Sequence, residues 1–233
     1  MKKMTLIIPI FNGAQYISST CKELSDFCTN ENDIDHVIFV NDGSTDRTKE
    51  MLENIKKEYS FSHRVLSYKE NKGKGYAIKH ALDHTKTDYV GFTDVELPYG
   101  LEKIKEGVLR LDTCDMVVGS RESGVQYSTY RSFMKKLFRL LLPRQIRTIR
   151  DTQCGFKLFK KDSAHVLFSK LKTYRWVFDI ELFLIAQKEN YTVQELPLMI
   201  KKECLTPKGG VSFLRDGLHI FLDLIRVRKC YKL

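Results

Sequence analysis

Short runs of aliphatic and β-branched residues recur through the first half of the chain, and each gives way to a stretch with helical spacing. The runs are Thr5–Ile10, His36–Val40, Arg64–Tyr68, Tyr89–Thr93 and Met116–Val118. The stretches between them are Ala14–Cys28, Thr45–Tyr59, Gly75–His84 and Gly100–Leu111. A strand that is apolar on both faces must be covered on both, and a parallel neighbour is reached only through a crossover, ordinarily a helix. The alternation therefore predicts an α/β chain, a mostly parallel central sheet flanked by helices. Sheets of this kind bind ligands beyond the carboxyl ends of their strands.

The second half changes character. Residues 122–150 are rich in Arg and Lys set among aromatics and leucines. A β-like run, Thr152–Phe159, follows, then helical patterns at Ser163–Leu171 and Phe178–Glu189 and a short strand at Val193–Glu195. The tail Val211–Arg228 reads as an amphipathic helix with Leu214, Leu218, Phe221, Leu222 and Ile225 on one stripe. The reading is one domain over residues 1–210, including a basic amphipathic segment at 131–150, and a C-terminal amphipathic helical extension at 211–233. With 42% hydrophobic and 29% charged residues and no repeat or low-complexity tract, the chain is neither disordered nor a solenoid. Its six cysteines form no Cys-x-x-Cys pair, so free thiols in a reducing compartment are expected. No stretch reaches the roughly 18 uninterrupted apolar residues of a spanning helix, which predicts a soluble or peripheral protein.

Four strand ends carry polar chemistry. Val40-Asn41-Asp42-Gly43-Ser44-Thr45-Asp46 places Asp42 at the sheet edge, where a carboxylate can accept from a base N–H or a ribose hydroxyl. Ser44 or Thr45 can cap the next helix, and Asp46 suits either capping or a ligand. Asn71-Lys72-Gly73-Lys74-Gly75 opens a helix with glycines and free amides, and Lys74 adds a point charge suited to phosphate, though the P-loop spacing is absent. Asp94-Val95-Glu96 follows the fourth strand; its two carboxylates suit Mg²⁺ or Mn²⁺ holding a diphosphate. Gly119-Ser120-Arg121, with Arg131 beyond it, offers two guanidiniums for a phosphate. Farther on, the only Trp lies beside Arg175 and ahead of Asp179 and Glu181. Asp179 suits a general base, a sugar-hydroxyl acceptor, or an acid at a helix start.

In this order the motifs are those of a known family. The chain resembles the inverting glycosyltransferases of family 2 with the GT-A (Rossmann-like) fold. The matching pieces are Pro9-Ile10-Phe11-Asn12, Asn41 to Asp46, Asn71 to Gly75, Asp94 to Glu96 and Gly119 to Arg121. The runs Asp151-Thr152-Gln153-Cys154-Gly155-Phe156-Lys157-Leu158-Phe159 and Arg175-Trp176-Val177-Phe178-Asp179-Ile180-Glu181 look closest to the dolichyl-phosphate glucose branch of the polyprenyl-phosphate hexose synthases. The resemblance spans roughly residues 4–230. It implies that Pro9, Phe11, Asp42 and Lys74, with Asn12 and Val95 of the same motifs, line the nucleotide-sugar pocket. It implies that Asp94 and Glu96 hold the metal and diphosphate, that Arg121 and Arg131 receive an acceptor phosphate, and that Asp151, Gln153 and Gly155 sit under the sugar. Glu96 stands where the family usually has Asp.

The expected reaction is displacement at the anomeric carbon with inversion. UDP-glucose is the favoured donor, with GDP-mannose its rival, and a polyprenyl phosphate is the favoured acceptor. An ionised phosphate needs no strong base, whereas a hydroxyl on a surface glycan would call on Asp179. Asp94, Arg121, Arg131 and Asp179 form the expected catalytic set. The excess of 39 Lys+Arg over 29 Asp+Glu gives a net charge of +10. Part of that excess lies in the basic segment Arg131–Arg150, which suits the cytoplasmic face of a membrane. A nucleic-acid-binding module would use the same charge, but no RNA-binding aromatic signature or helix-turn-helix pattern accompanies it.

Overall fold

The first run forms the strand at the centre of the structure. β1 (Met4–Ile10) is paired in parallel with β2 (Ile34–Asp42) on one side and β4 (Tyr89–Phe92) on the other. Pro9 is tolerated in this central strand because the β4 ladder ends at Ile7↔Phe92, so the missing N–H breaks no rung on that side. The computed structural model describes residues 3–31, 33–122, 146, 148–204 and 213–231. Arg131 and nearly all of the basic segment 131–150 lie outside them.

Between the strands run α1 (Ala14–Asn30), α2 (Thr48–Glu58), α3 (Lys74–Leu82) and α4 (Glu102–Arg110), with β3 (His63–Tyr68) and β5 (Met116–Arg121) in sequence among them. The second half adds β6 (Lys157–Lys160), α5 (Lys161–Lys170), α6 (Phe178–Lys188), β7 (Val193–Leu198) and α7 (Phe213–Tyr231). The seven-stranded sheet has the order β3-β2-β1-β4-β6-β5-β7. All pairings are parallel except those of β6, which is inserted antiparallel between β4 and β5.

Alternation along β1 builds two cores. Ile7 faces a layer with Ala77 and Ile78 of α3, Phe168 of α5 and Ile180 of α6. Leu6 and Ile8 face the opposite layer, with Ile17 and Leu24 of α1, Leu52 of α2 and Ile104 of α4. This is the predicted α/β architecture with helices on both faces.

Several boundaries differ from expectation. β5 runs on to Arg121, so Gly119-Ser120-Arg121 lies on the strand, paired with Leu196–Leu198 of β7. The run at Thr152–Phe159 is a strand only from Lys157 on. α2 begins at Thr48, not Thr45, because residues 44–48 serve another helix. Asn12, Gly13 and Ala14 donate their backbone N–H groups to Ser44 Oγ, Thr48 Oγ1 and Asp46 Oδ2 at 3.0, 3.0 and 3.2 Å. Gly13 has no side chain to cap α1, and this loop satisfies its opening amides instead. Among the tail-helix residues whose burial is described, Leu224 and Val227 are buried, whereas Leu222, expected on the apolar stripe, is 53% exposed; Leu214, Leu218 and Phe221 of that stripe lie outside the described side chains. The six cysteines are free.

Candidate active site

The carboxyl ends of β1, β2, β4 and β5 converge on a cleft of about 740 Å³. Pro9, Phe11, Asp42, Lys74, Asp94, Arg121, Gln153, Gly155 and Asp179 all line it. Nine residues singled out from sequence, spread over 171 positions, thus meet at one place. Four do not face the cleft. Asn12 holds the loop after β1 in a left-handed conformation (φ 52°) and accepts from the Thr45 N–H at 2.8 Å. Val95 is buried, and its carbonyl accepts from the Thr20 hydroxyl. Asp151 is held by Arg121, which does line the cleft, and Glu96 follows Asp94 on the turn after β4.

Asp42 is spent largely on its own loop. Its carboxylate accepts from the backbone N–H groups of Lys72 and Gly73, at 2.7 and 2.9 Å, and from Asn71 Nδ2 at 3.0 Å. This fixes the turn that opens α3. Gly73 (φ 99°, ψ 155°) occupies a region open essentially only to glycine. A Cβ there would stand 2.5 Å from the Tyr174 carbonyl oxygen. That same oxygen accepts from the Gly75 N–H at 2.9 Å, and Arg175 Nη2 donates to the Asn71 carbonyl at 3.0 Å. The 71–75 turn and the Tyr174-Arg175-Trp176 loop are therefore laced together at the mouth of the cleft. Trp176 and Phe11, 38% and 50% exposed, give that mouth two apolar surfaces.

Three ion pairs form the polar floor. Lys74 Nζ meets Asp94 Oδ1 at 2.5 Å. Arg121 grips Asp151 through Nε and Nη2 at 2.5 and 2.8 Å. Lys157 Nζ meets Asp179 Oδ1 at 2.6 Å. Burial pushes the Asp94 carboxyl up, but Lys74, aided by Lys157 and Arg121, outweighs it and holds the group below the usual carboxylate range. Asp151 is lowered in the same way, burial being overcome by Arg121. The Arg121 guanidinium is stabilised in return. Glu96 goes the other way: burial, then the neighbouring Asp94 charge, raise it.

The donor set fits a hard divalent cation. Asp94 and Glu96 offer oxygen only, on a tight turn closed by the Leu97 N–H donating to the Asp94 carbonyl at 3.0 Å. Gly155 leaves the space that the Asp94 carboxylate fills, since any Cβ there would collide with it. Burial first, and then the Asp94 charge, raise the Glu96 carboxyl, and a cation would offset both. Among the described residues no cluster of three His, Cys, Asp or Glu side chains gathers at metal-binding spacing. These two residues would therefore hold the ion together with oxygens from the ligand.

Sequence reasoning gave Lys157 no role, and Asn71 and Phe178 were not singled out as lining residues. The available signal was a lysine inside the apolar run Phe156-Lys157-Leu158-Phe159, since a charge in a strand buried on both faces needs a partner.

Solved structures of glucosyl-3-phosphoglycerate synthase from Mycobacterium tuberculosis share this architecture. One, in complex with Mn²⁺, UDP-glucose and phosphoglyceric acid, aligns with a TM-score of 0.73 at 15% identity, over 99% of this chain and 79% of that one. Another, with Mg²⁺ and UDP, gives 0.71 at 16% identity, over 96% of this chain and 79% of that one. Fold and cleft together define a glycosyltransferase of the GT-A type. Residues 5–168 match the model of Glycosyl transferase family 2, and the chain belongs to that family. Among its relatives is a dolichyl-phosphate beta-glucosyltransferase of Trichomonas vaginalis, 29% identical over 96% of this chain and 72% of the relative. The dolichyl-phosphate beta-glucosyltransferase of Homo sapiens is 30% identical over 84% of this chain and 66% of its own length. That of Saccharomyces cerevisiae is 26% identical over 84% and 65%. The chain thus spans 65 to 72% of the length of these relatives.

Proposed function

We propose that this enzyme transfers glucose from UDP-glucose to a polyprenyl phosphate of the dolichyl type, with inversion at the anomeric carbon, at a membrane surface. The observation that carries the reading is the cleft itself: the Asp94 carboxylate, the lysine-bearing start of α3 and Arg121 converge at the carboxyl ends of the strands. The names of the relatives support the acceptor, and the UDP-glucose bound by a structural neighbour supports the donor. Asp94 and Glu96 would hold Mg²⁺ or Mn²⁺, which when bound offsets the charge of the departing diphosphate. Lys74 supplies a second positive charge on that side. Arg121 faces the cleft from the end of β5 and orients the acceptor phosphate, with Arg131 as its proposed companion. Asp151, Gln153 and Gly155 would underlie the sugar, with Pro9, Phe11 and Asp42 around the nucleotide and Asn12 and Val95 shaping its loops.

No helix among the described residues is long and apolar enough to cross a membrane. A peripheral mode is supported by α7, which exposes Leu222 with Arg226, Arg228 and Lys229. The test is a donor panel of UDP-glucose, UDP-galactose and GDP-mannose with Mn²⁺ or Mg²⁺, with and without a polyprenyl phosphate. A glucolipid formed from UDP-glucose alone is the expected product. Transfer from GDP-mannose, or to a glycan hydroxyl but no lipid phosphate, would overturn the reading.

A further inference from the structure

Lys157 is 0% exposed, on the antiparallel strand β6 beneath the cleft. Its ammonium donates to the Cys154 carbonyl at 2.8 Å and to Asp179 Oδ1 at 2.6 Å. It also lies 5.5 Å from the centre of the Phe92 ring and 5.8 Å from that of Phe183. A lysine costs several kcal/mol to bury, and here the charge is enclosed rather than offered to a ligand. What reaches the cleft is its partner. Asp179 lines the cavity, and among the described residues its Oδ2 has no hydrogen-bond partner.

We propose that Lys157 is a positioning residue: it anchors Oδ1 of Asp179 so that Oδ2 accepts a hydroxyl of the donor's sugar and Asp179 takes no part in proton removal. The inference rests on the sugar-transfer reading and narrows the acceptor class. When a phosphate oxygen attacks the anomeric carbon, its electron pair makes the new C–O bond. The old C–O bond breaks with its pair going to the nucleoside diphosphate. No proton has to leave. An alcohol acceptor must lose a proton to a base, and the carboxylate best placed to take it is held by an ammonium. The site accordingly takes acceptors that arrive ionised.

The test compares the wild-type enzyme with Lys157→Met, Lys157→Arg, Asp179→Asn and the double variant Lys157→Met/Asp179→Asn. Affinities for UDP-glucose and for UDP are measured by titration calorimetry in Mn²⁺, beside melting temperatures and transfer to a polyprenyl phosphate and to the matching polyprenol. Lys157→Met and Asp179→Asn should each weaken UDP-glucose by about tenfold or more, the effect of one charge-assisted hydrogen bond. UDP affinity should stay within about twofold, because the lost contact is to the sugar. Lys157→Arg should restore part of the difference, and the double variant should be no worse than either single one. Should Lys157→Met fail to fold, the near-isosteric Asp179→Asn still reports the split. Parallel loss of UDP and UDP-glucose affinity, or additive effects in the double variant, would overturn the positioning role. Transfer to polyprenol that depends on Asp179 would overturn the acceptor inference. A wild-type enzyme inactive on polyprenyl phosphate but showing the UDP-glucose/UDP split would refute the proposed function and uphold the positioning role.

Discussion

Replacing Gly73 by alanine should damage the site without touching a charged residue. Gly73 combines φ 99° with ψ 155°, a conformation that costs a residue with a Cβ about 1–3 kcal/mol. The new Cβ would also stand 2.5 Å from the Tyr174 carbonyl oxygen and 2.9 Å from Arg175 Cγ. The arginine side chain can swing away, but the carbonyl belongs to backbone and must shift. The shift strains the hydrogen bond from the Gly75 N–H to that oxygen, now 2.9 Å, worth about 1 kcal/mol. The sum is roughly 2–4 kcal/mol, and at about 2–4 °C per kcal/mol for a domain of this size the melting temperature should fall by roughly 5–15 °C. Because the strained turn and the Tyr174–Trp176 loop both line the cleft, donor affinity should fall with it. The assay is a thermal melt by circular dichroism together with UDP-glucose titration, with the exposed Lys86→Ala as a control expected within about 0.5 kcal/mol of wild type. A Gly73→Ala protein with unchanged melting temperature and unchanged donor affinity would show that the two loops are not mechanically joined.

Gly155→Ala should act on chemistry more than on stability, since its Cβ would collide with the Asp94 carboxylate; kcat/KM should drop on the order of tenfold or more, and steady-state kinetics with a melt as companion check it. Acid should destabilise the fold in a defined window. Asp94, Asp115 and Asp151 are all held below the ordinary carboxylate range, burial being outweighed by cations and hydrogen bonds. Depressed folded-state values mean stability that is complete above the unfolded value of about 3.9 and is lost as pH falls through the folded ones. Melting temperatures should therefore be insensitive to these groups near neutrality and fall steeply below about pH 4; a flat profile down to pH 3 would contradict the assignment. Tyr231→Phe should loosen the tail helix, since its hydroxyl donates to the fully buried Glu181 at 3.0 Å. A loss of about 1.5 kcal/mol, or roughly 3–6 °C, is expected by calorimetry.

Most of the fold could be read from the chain because its strands announce themselves. Leu6-Ile7-Ile8 and Val37-Ile38-Phe39-Val40 are too apolar to face water on either side, and the helices between them complete the crossover rule. What could not be read depends on distant pairing. β5 runs on to Arg121 because Leu196–Leu198 of β7 lies alongside, a contact that no local signal records. The stretch before Lys157 is not strand because it turns to place Cys154 O on the Lys157 ammonium and Gly155 beneath Asp94. Pattern alone also could not place β6 antiparallel between two parallel neighbours. The site residues were legible as types at strand ends, but their partners were not. Asp42 looked free for a ligand, yet three donors of the 71–73 turn surround it. Arg121 looked like a free guanidinium, yet Asp151 holds its Nε–Nη2 edge.

This pairing explains why net charge is a poor guide to the cleft. A positive surplus of 10 invites the thought of an electropositive trap for diphosphate. Three cations in or beneath the cleft are instead already matched one to one: Lys74 with Asp94, Arg121 with Asp151, Lys157 with Asp179. Among the described residues, Asp42, Glu96 and Arg175 stand at or near the cleft without an opposite charge in salt-bridge range, Asp42 being held instead by amide donors. On the proposed reading, a nucleotide sugar with a divalent cation would be nearly balanced itself and would enter by exchange, with Asp94 and Glu96 as the residues that would hold the cation and Lys74 free to pair with a phosphate. Exchange costs less than stripping bare ions of water, because each buried charge keeps a partner before and after binding. It also fixes geometry in advance, since groups held by two-point contacts lose little freedom when the substrate arrives. The surplus positive charge belongs elsewhere: on α7, where Arg226, Arg228 and Lys229 face solvent, and in the sequence of the 131–150 segment. Basic residues of that kind suit a broad anionic surface, whereas the paired ones suit a small ligand that must be held in one orientation.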